Sequence, residues 1–150
     1  MRVVAYSIKS FEKEPLAIAN RKKHEITLIS NSLSEDTAAY AEGKEAVIVF
    51  NGDEVNAKVI DKLADLGVKY IATRSTSISH IDQQAAEKRD IKIASVPSSA
   101  IDQHPAESLS MILAAETIQN LDKWQEKKCL GTSCICSKSC DSDTKKSYEF

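Results

Sequence analysis

The chain has 150 residues, 42% hydrophobic and 28% charged, an ordinary composition for a single globular domain that excludes collagen-like repeats and extended disorder. Twenty Lys plus Arg against 22 Asp plus Glu give a net charge of −2, which leaves no basic surplus to drive nucleic-acid binding. The longest apolar runs, residues 46–50 and 111–115, fall far short of the ~20 residues that cross a bilayer, and the start lacks the apolar core of a secretory peptide, so neither nucleic acid nor membrane is an expected partner and the expected location is cytoplasmic.

Short apolar runs alternate with helical patterns through the first hundred residues. Residues 3–6 form the first strand candidate, and residues 11–21 a weak helix candidate. A second strand is expected at 26–29. A short helix follows over 35–42, with Ser34 before it and Gly43 after it. Residues 46–50 are continuously apolar, as a central strand covered on both faces should be. Val55, Val59, Ile60, Leu63 and Leu66 place one apolar stripe along a helix. Asp53 is a candidate cap for its start and Gly67 for its end. Strands at 68–72 and 91–96 flank a weaker helix at 83–88.

Strand and helix in repeated alternation predict an α/β fold, because parallel strands need crossovers and each helix must bury its stripe on the sheet. The expected architecture is a flavodoxin-like five-stranded parallel sheet with flanking helices, followed by a long C-terminal helix and a Cys-rich tail. Ligands of such sheets bind beyond the carboxyl ends of the strands. That rule directs attention to Asn51-Gly52, Arg74-Ser75-Thr76-Ser77 and Pro97-Ser98-Ser99.

The pattern changes after Val96. Pro105 suits the first turn of a helix, with Asp102 or His104 as its cap. Leu109, Ile112, Leu113, Leu121 and Trp124 continue at helical spacing, for a helix on the order of 30 Å long. It lies either along its own domain or against a twin subunit or second protein. The chain thus divides into a domain over 1–103, a linker or homodimerisation helix over 104–128, and a Cys-rich tail over 129–150.

Of the histidines, His80 is expected in a surface loop before a helix, His104 beside Pro105, and His24 in solvent after Arg21-Lys22-Lys23. No serine stands in a G-x-S-x-G elbow and no carboxylate pair stands out. All four cysteines lie in the tail, as Cys129-x4-Cys134-x-Cys136-x3-Cys140. Four thiolates suit Zn²⁺ or an iron–sulfur cluster, although this spacing matches neither usual pattern. Metal or cluster ligands, redox-active or disulfide-forming thiols, and no ligand role all stay open. Lys127, Lys128 and Lys138 favour the thiolate form.

The run Val68-Lys69-Tyr70-Ile71-Ala72-Thr73-Arg74-Ser75-Thr76-Ser77-Ile78-Ser79-His80-Ile81-Asp82, with Ala85-Ala86 following, resembles the D-isomer-specific 2-hydroxyacid dehydrogenases, above all their D-lactate dehydrogenase branch. Val96-Pro97, Pro105-Ala106-Glu107, Val3-Val4-Ala5-Tyr6-Ser7 and the strand from Glu45 to Asn51 extend the likeness over roughly residues 1–121. The resemblance implies a flavodoxin-like substrate domain of an NAD-linked enzyme acting on a small 2-hydroxy or 2-oxo acid. Backbone amides of the loop after the fourth strand would hold the substrate carboxylate, which assigns substrate binding to Thr76 and Ser77 with Arg74 nearby; convergent amide dipoles suit an anion. The family normally has glycine where this chain has Ser77, and serine costs roughly 1 kcal/mol if a left-handed conformation is kept there. A tyrosine common after the Val-Pro step is replaced by Ser99, the fourth substrate-site candidate.

No G-x-G-x-x-G occurs, and no two of the four glycines are close enough to build one. In the family the dinucleotide-binding domain and the catalytic Arg, Glu and His follow the long helix. No catalytic or cofactor-binding residue is therefore assigned, and the chain alone is expected to lack turnover and tight NAD binding. Two other readings stand beside this one. One is a non-catalytic module that binds metal, a redox partner or another protein through the cysteines; the other is a partial chain whose NAD-binding half is a separate polypeptide.

Overall fold

The computed structural model describes residues 1–103, 109–127 and 134–135. Five strands are parallel: β1 (Arg2–Ala5), β2 (Glu25–Leu28), β3 (Ala46–Val49), β4 (Tyr70–Thr73) and β5 (Lys92–Ala94). A sixth, β6 (Cys134–Ile135), pairs antiparallel with Ile93 and Ala94 of β5. The order is β2-β1-β3-β4-β5-β6, so the parallel part has the flavodoxin-like arrangement and reverses direction between β1 and β3. The five parallel strands are the expected sheet, and the two-residue β6, which no periodicity announces, is an antiparallel addition at its open edge.

Alternation along the strands builds two cores. Val4, Val47, Val49, Ile71 and Ile93 face α2 (Ala57–Asp65) and α3 (Gln83–Lys88), with Val59, Ile60 and Leu63 of α2 packed against them. Val3, Ala5, Ala46, Ile48, Ala72 and Ala94 face the other way, towards α1 (Ser10–Asn20) and α5 (Leu109–Gln125). Four of those six are alanines. Small side chains let bulky helix residues approach the sheet, and Ile118, Leu121 and Trp124 of α5 fill that space. Trp124 stacks on Tyr70 with ring centroids 4.7 Å apart. Asn120, buried in the same helix, donates to the Ser95 carbonyl across 3.2 Å.

Of the two placements expected for the long helix, the described residues show it along its own sheet. Its 17 residues make it about 25 Å long. A separate short helix, α4 (Ser98–Gln103), precedes it, while Pro105 and His104 lie outside the described residues. No described helix is long and apolar enough to cross a membrane.

Three local expectations are corrected. The helix over 35–42 is a single 3-10 turn, Ala38–Ala41. Asn56, not Asp53, caps α2: its side chain accepts from the Val59 amide, while Asp53 sits farther from the helix and faces inward. His24 is buried rather than solvated, with a ring nitrogen 2.7 Å from Asp122 of α5 and its backbone held at both ends by Asn20. In contrast, Gly43 and Gly67 do adopt positive φ, 78° and 96°, where they end their helical segments. Pro15 lies inside α1, which explains the weak helical signal there; burial of Leu16 beneath α5 outweighs the lost backbone bond.

Candidate carboxylate-binding site

The carboxyl ends of β1, β3, β4 and β5 meet at one edge of the sheet, and a single buried arginine organises them. Arg74, the residue after β4, is only 2% exposed. Its Nε donates to Glu12 across 2.9 Å, its Nη1 to the Tyr6 carbonyl across 3.0 Å and its Nη2 to the Ser7 carbonyl across 3.2 Å. The guanidinium also lies 5.1 Å from the centre of the Phe50 ring. Glu12 in turn accepts the Lys9 amide at the start of α1. Arg74 therefore stands beneath the loop as a frame that ties β4 to the turn after β1, with four of its five N–H donors taken by protein groups.

Asp53 performs the same service for the β3 end. It is 1% exposed and accepts the Ser7 hydroxyl, the Leu33 amide and the Phe50 amide. Ser7, which takes part in both frames, has φ of 57°, an unusual conformation for serine that these contacts hold in place. The nearby negative charge of Asp53 and burial both raise the Tyr6 phenol pKa, burial being the larger cause, so its hydroxyl stays protonated and donates to the Thr37 carbonyl.

The loop over Arg74–Ser79 rises from this frame. Val96 donates its amide to the Ser75 carbonyl and so ties the loop to the end of β5. Thr76 and Ser77 are exposed, and among the described residues no acceptor takes the backbone amides of Thr76, Ser77 or Ile78. Ser77 is not among the described residues with positive φ, so the strain expected if a glycine-like conformation were kept does not arise. Ser99 is exposed in the first turn of α4, and no hydrogen bond joins it to the loop among the described residues. The structure thus brings Thr76 and Ser77 together over Arg74 and leaves Ser99 on the neighbouring element.

Sequence reasoning missed Glu12, the inward role of Asp53, and the pair Thr73 and His80 behind the loop. Thr73 is fully buried, and its hydroxyl lies 2.7 Å from that of Ser75 and 3.2 Å from His80 Nε2. Only the adjacency of Thr73, Ser75 and His80 within one short segment hinted at it.

A dinucleotide does not fit the described residues. The turn from β1 into α1 is Ser7-Ile8-Lys9, without glycine, and its Ser7 carbonyl and hydroxyl are already bonded within the protein. Gly43 and Gly67 lie at the opposite sheet edge, before β3 and β4, and Gly52 stands alone after β3. No group of three or more metal-ligating side chains occurs among the described residues. Cys134 opens β6, whereas Cys129, Cys136 and Cys140 lie outside the described residues, so the zinc or iron–sulfur reading rests on sequence spacing alone.

The family model for the D-isomer specific 2-hydroxyacid dehydrogenase catalytic domain matches residues 3–132. A 2-hydroxyacid dehydrogenase homolog of Zymomonas mobilis is 35% identical over 99 residues, 65% of this chain and 30% of that protein. D-lactate dehydrogenase of Escherichia coli is 34% identical over the same span and coverage. An apo-structure of the Escherichia coli enzyme aligns with a TM-score of 0.64 and 33% identity, covering 69% of this chain and 34% of that one. A Salmonella D-lactate dehydrogenase structure aligns at 0.63 with 26% identity, covering 91% and 41%. The chain spans about 30% of the length of the relatives it matches in sequence.

Proposed function

The chain belongs to the D-isomer specific 2-hydroxyacid dehydrogenase family, and on that premise we propose that its loop after β4 holds the carboxylate of a small 2-hydroxy or 2-oxo acid. The domain then supplies the substrate-binding half of an NAD-linked dehydrogenase site. The nicotinamide half comes from a dinucleotide-binding domain outside these 150 residues, on the same or a separate polypeptide.

One observation carries this reading: three successive amides, Thr76, Ser77 and Ile78, unclaimed by protein acceptors among the described residues, on a loop whose base is locked. Fixed amide dipoles that converge on an anion need no rearrangement when it arrives. Arg74 contributes by holding that base, and its charge is already matched by Glu12. His80 faces Thr73 and is not presented as an acid or base. The described residues therefore bind and orient an acid but do not themselves move its proton.

Titration of the ¹⁵N-labelled chain with pyruvate tests the reading. Saturable shifts of the Thr76, Ser77 and Ile78 amide resonances are expected; shifts scattered elsewhere, with these three unmoved, refute it. The chain mixed with NADH and pyruvate is expected to show no oxidation of NADH. Steady oxidation by the pure chain would refute the placement of the nicotinamide half elsewhere.

A further inference from the structure

Behind the loop Thr73, Ser75 and His80 form a line of contacts whose hydrogens can be counted. Ser75 Oγ donates to the Ser77 carbonyl across 2.8 Å. That consumes its one hydrogen, so across the 2.7 Å contact Ser75 accepts from the Thr73 hydroxyl. Thr73 has then used its own hydrogen, and His80 Nε2 must be the donor across the remaining 3.2 Å. This is the one assignment that puts a hydrogen in all three contacts. It makes His80 the Nε2–H tautomer.

The other ring nitrogen agrees. His80 Nδ1 is buried and has no partner among the described residues. A proton there would be a buried donor without an acceptor, a costlier arrangement than an unfilled lone pair on a neutral ring. Burial lowers the pKa of His80, with the Asp53 carboxylate pulling the other way and the burial effect larger.

We propose that His80 is a positioning residue for the carboxylate loop, its Nε2–H starting a one-way line of hydrogen bonds through Thr73 and Ser75 that ends on the Ser77 carbonyl. A peptide unit is planar, so fixing that carbonyl fixes the Ser77–Ile78 peptide as a whole. Each bond in such a line polarises the next, and the last one strengthens the Ile78 amide as a donor. The line thus sets both the placement and the donor strength of an amide at the mouth of the site. This inference rests on the carboxylate reading for its purpose, but its geometry has a separate test.

Long-range ¹H–¹⁵N spectra of the unliganded chain near pH 7 report the His80 tautomer directly. The Nε2–H form is expected; an Nδ1–H or doubly protonated ring overturns the proposal. His80→Ala and Thr73→Val should each weaken pyruvate binding about tenfold, the effect of losing one hydrogen bond to the site's frame, whereas His80→Gln, whose amide can reach Thr73, should stay within about twofold of the unsubstituted chain. Undiminished affinity in His80→Ala, or equal losses in His80→Ala and His80→Gln, overturns it. Should the unsubstituted chain bind no pyruvate, the carboxylate reading fails by itself. The positioning role is then decided in the unliganded chain, where His80→Ala must shift the Ser77 and Ile78 amide resonances and His80→Gln must restore them. If His80→Ala does not fold, the tautomer and the His80→Gln and Thr73→Val comparison decide.

Discussion

The Arg74 guanidinium grips the Glu12 carboxylate from 62 residues away in the chain, at 2.9 Å from its Nε. Arg74 is 2% exposed and Glu12 side-chain exposure is 14%, so water screens the pair poorly. The pair fastens the start of α1 to the end of β4, which is where the proposed site stands.

Removing either partner leaves the other as a buried, unmatched charge. Arg74→Met is expected to lower the unfolding free energy by about 3 kcal/mol, and Arg74→Lys by less because the charge survives while the fork is lost. Urea unfolding followed by circular dichroism measures both. A change under about 0.5 kcal/mol for Arg74→Met, typical of an exposed pair, would contradict the burial.

Asp53 accepts three donors from three segments: Ser7, Leu33 and Phe50. Asn at this position offers one acceptor oxygen and brings two hydrogens with no acceptor waiting. Asp53→Asn is expected to cost about 2 kcal/mol, and Asn56→Ala, the loss of the real helix cap, about 1 kcal/mol. Equal unfolding free energies for Asp53→Asn and the unsubstituted chain would show that the carboxylate is not the hub of these contacts.

Trp124, the one tryptophan of the chain, is 5% exposed and stacks on Tyr70. Trp124→Ala is expected to cost about 3 kcal/mol, and Trp124→Phe distinctly less because an aromatic ring remains in the gap above the alanines. In the unsubstituted chain, a buried, blue-shifted tryptophan emission that moves red in step with unfolding is the matching spectroscopic result.

His80 also makes stability depend on pH. Its pKa in the folded chain lies below the ordinary histidine value of 6.5, chiefly through burial and against the opposing effect of Asp53. Between the lowered value and 6.5 the unfolded chain holds more protons, so stability rises with pH across that window. The contribution is complete above about 6.5 and is lost as pH falls through the folded value. The urea midpoint of the unsubstituted chain should therefore fall relative to that of His80→Gln as pH is lowered through this range. Parallel curves would show that His80 does not titrate differently in the two states.

The α/β alternation was legible because apolar spacing is a local property of the chain, readable in Val59, Ile60 and Leu63 or in the run from Ala46 to Phe50. The position of the loop after β4 was legible as well, since residues 74–79 follow directly on the strand pattern of 68–72. His24 shows where that logic stops. Three basic neighbours pointed it to solvent, yet Asp122, 98 residues later, holds it in the interior. Arg74 is similar: the resemblance put it near the loop after β4, and its partners Glu12, Tyr6 and Ser7 lie too far along the chain to be read from its neighbours.

What the order of residues determined by itself was which segments could be buried and on which face, because the strand and helix periods act over a few neighbouring positions. Tertiary structure alone decided which polar groups were already satisfied: the partners of Arg74 and two of the three donors to Asp53 come from distant segments, and only their meeting at one sheet edge settles which amides remain open. Apolar burial is additive and needs no particular partner, whereas a hydrogen bond needs one acceptor at one distance and angle.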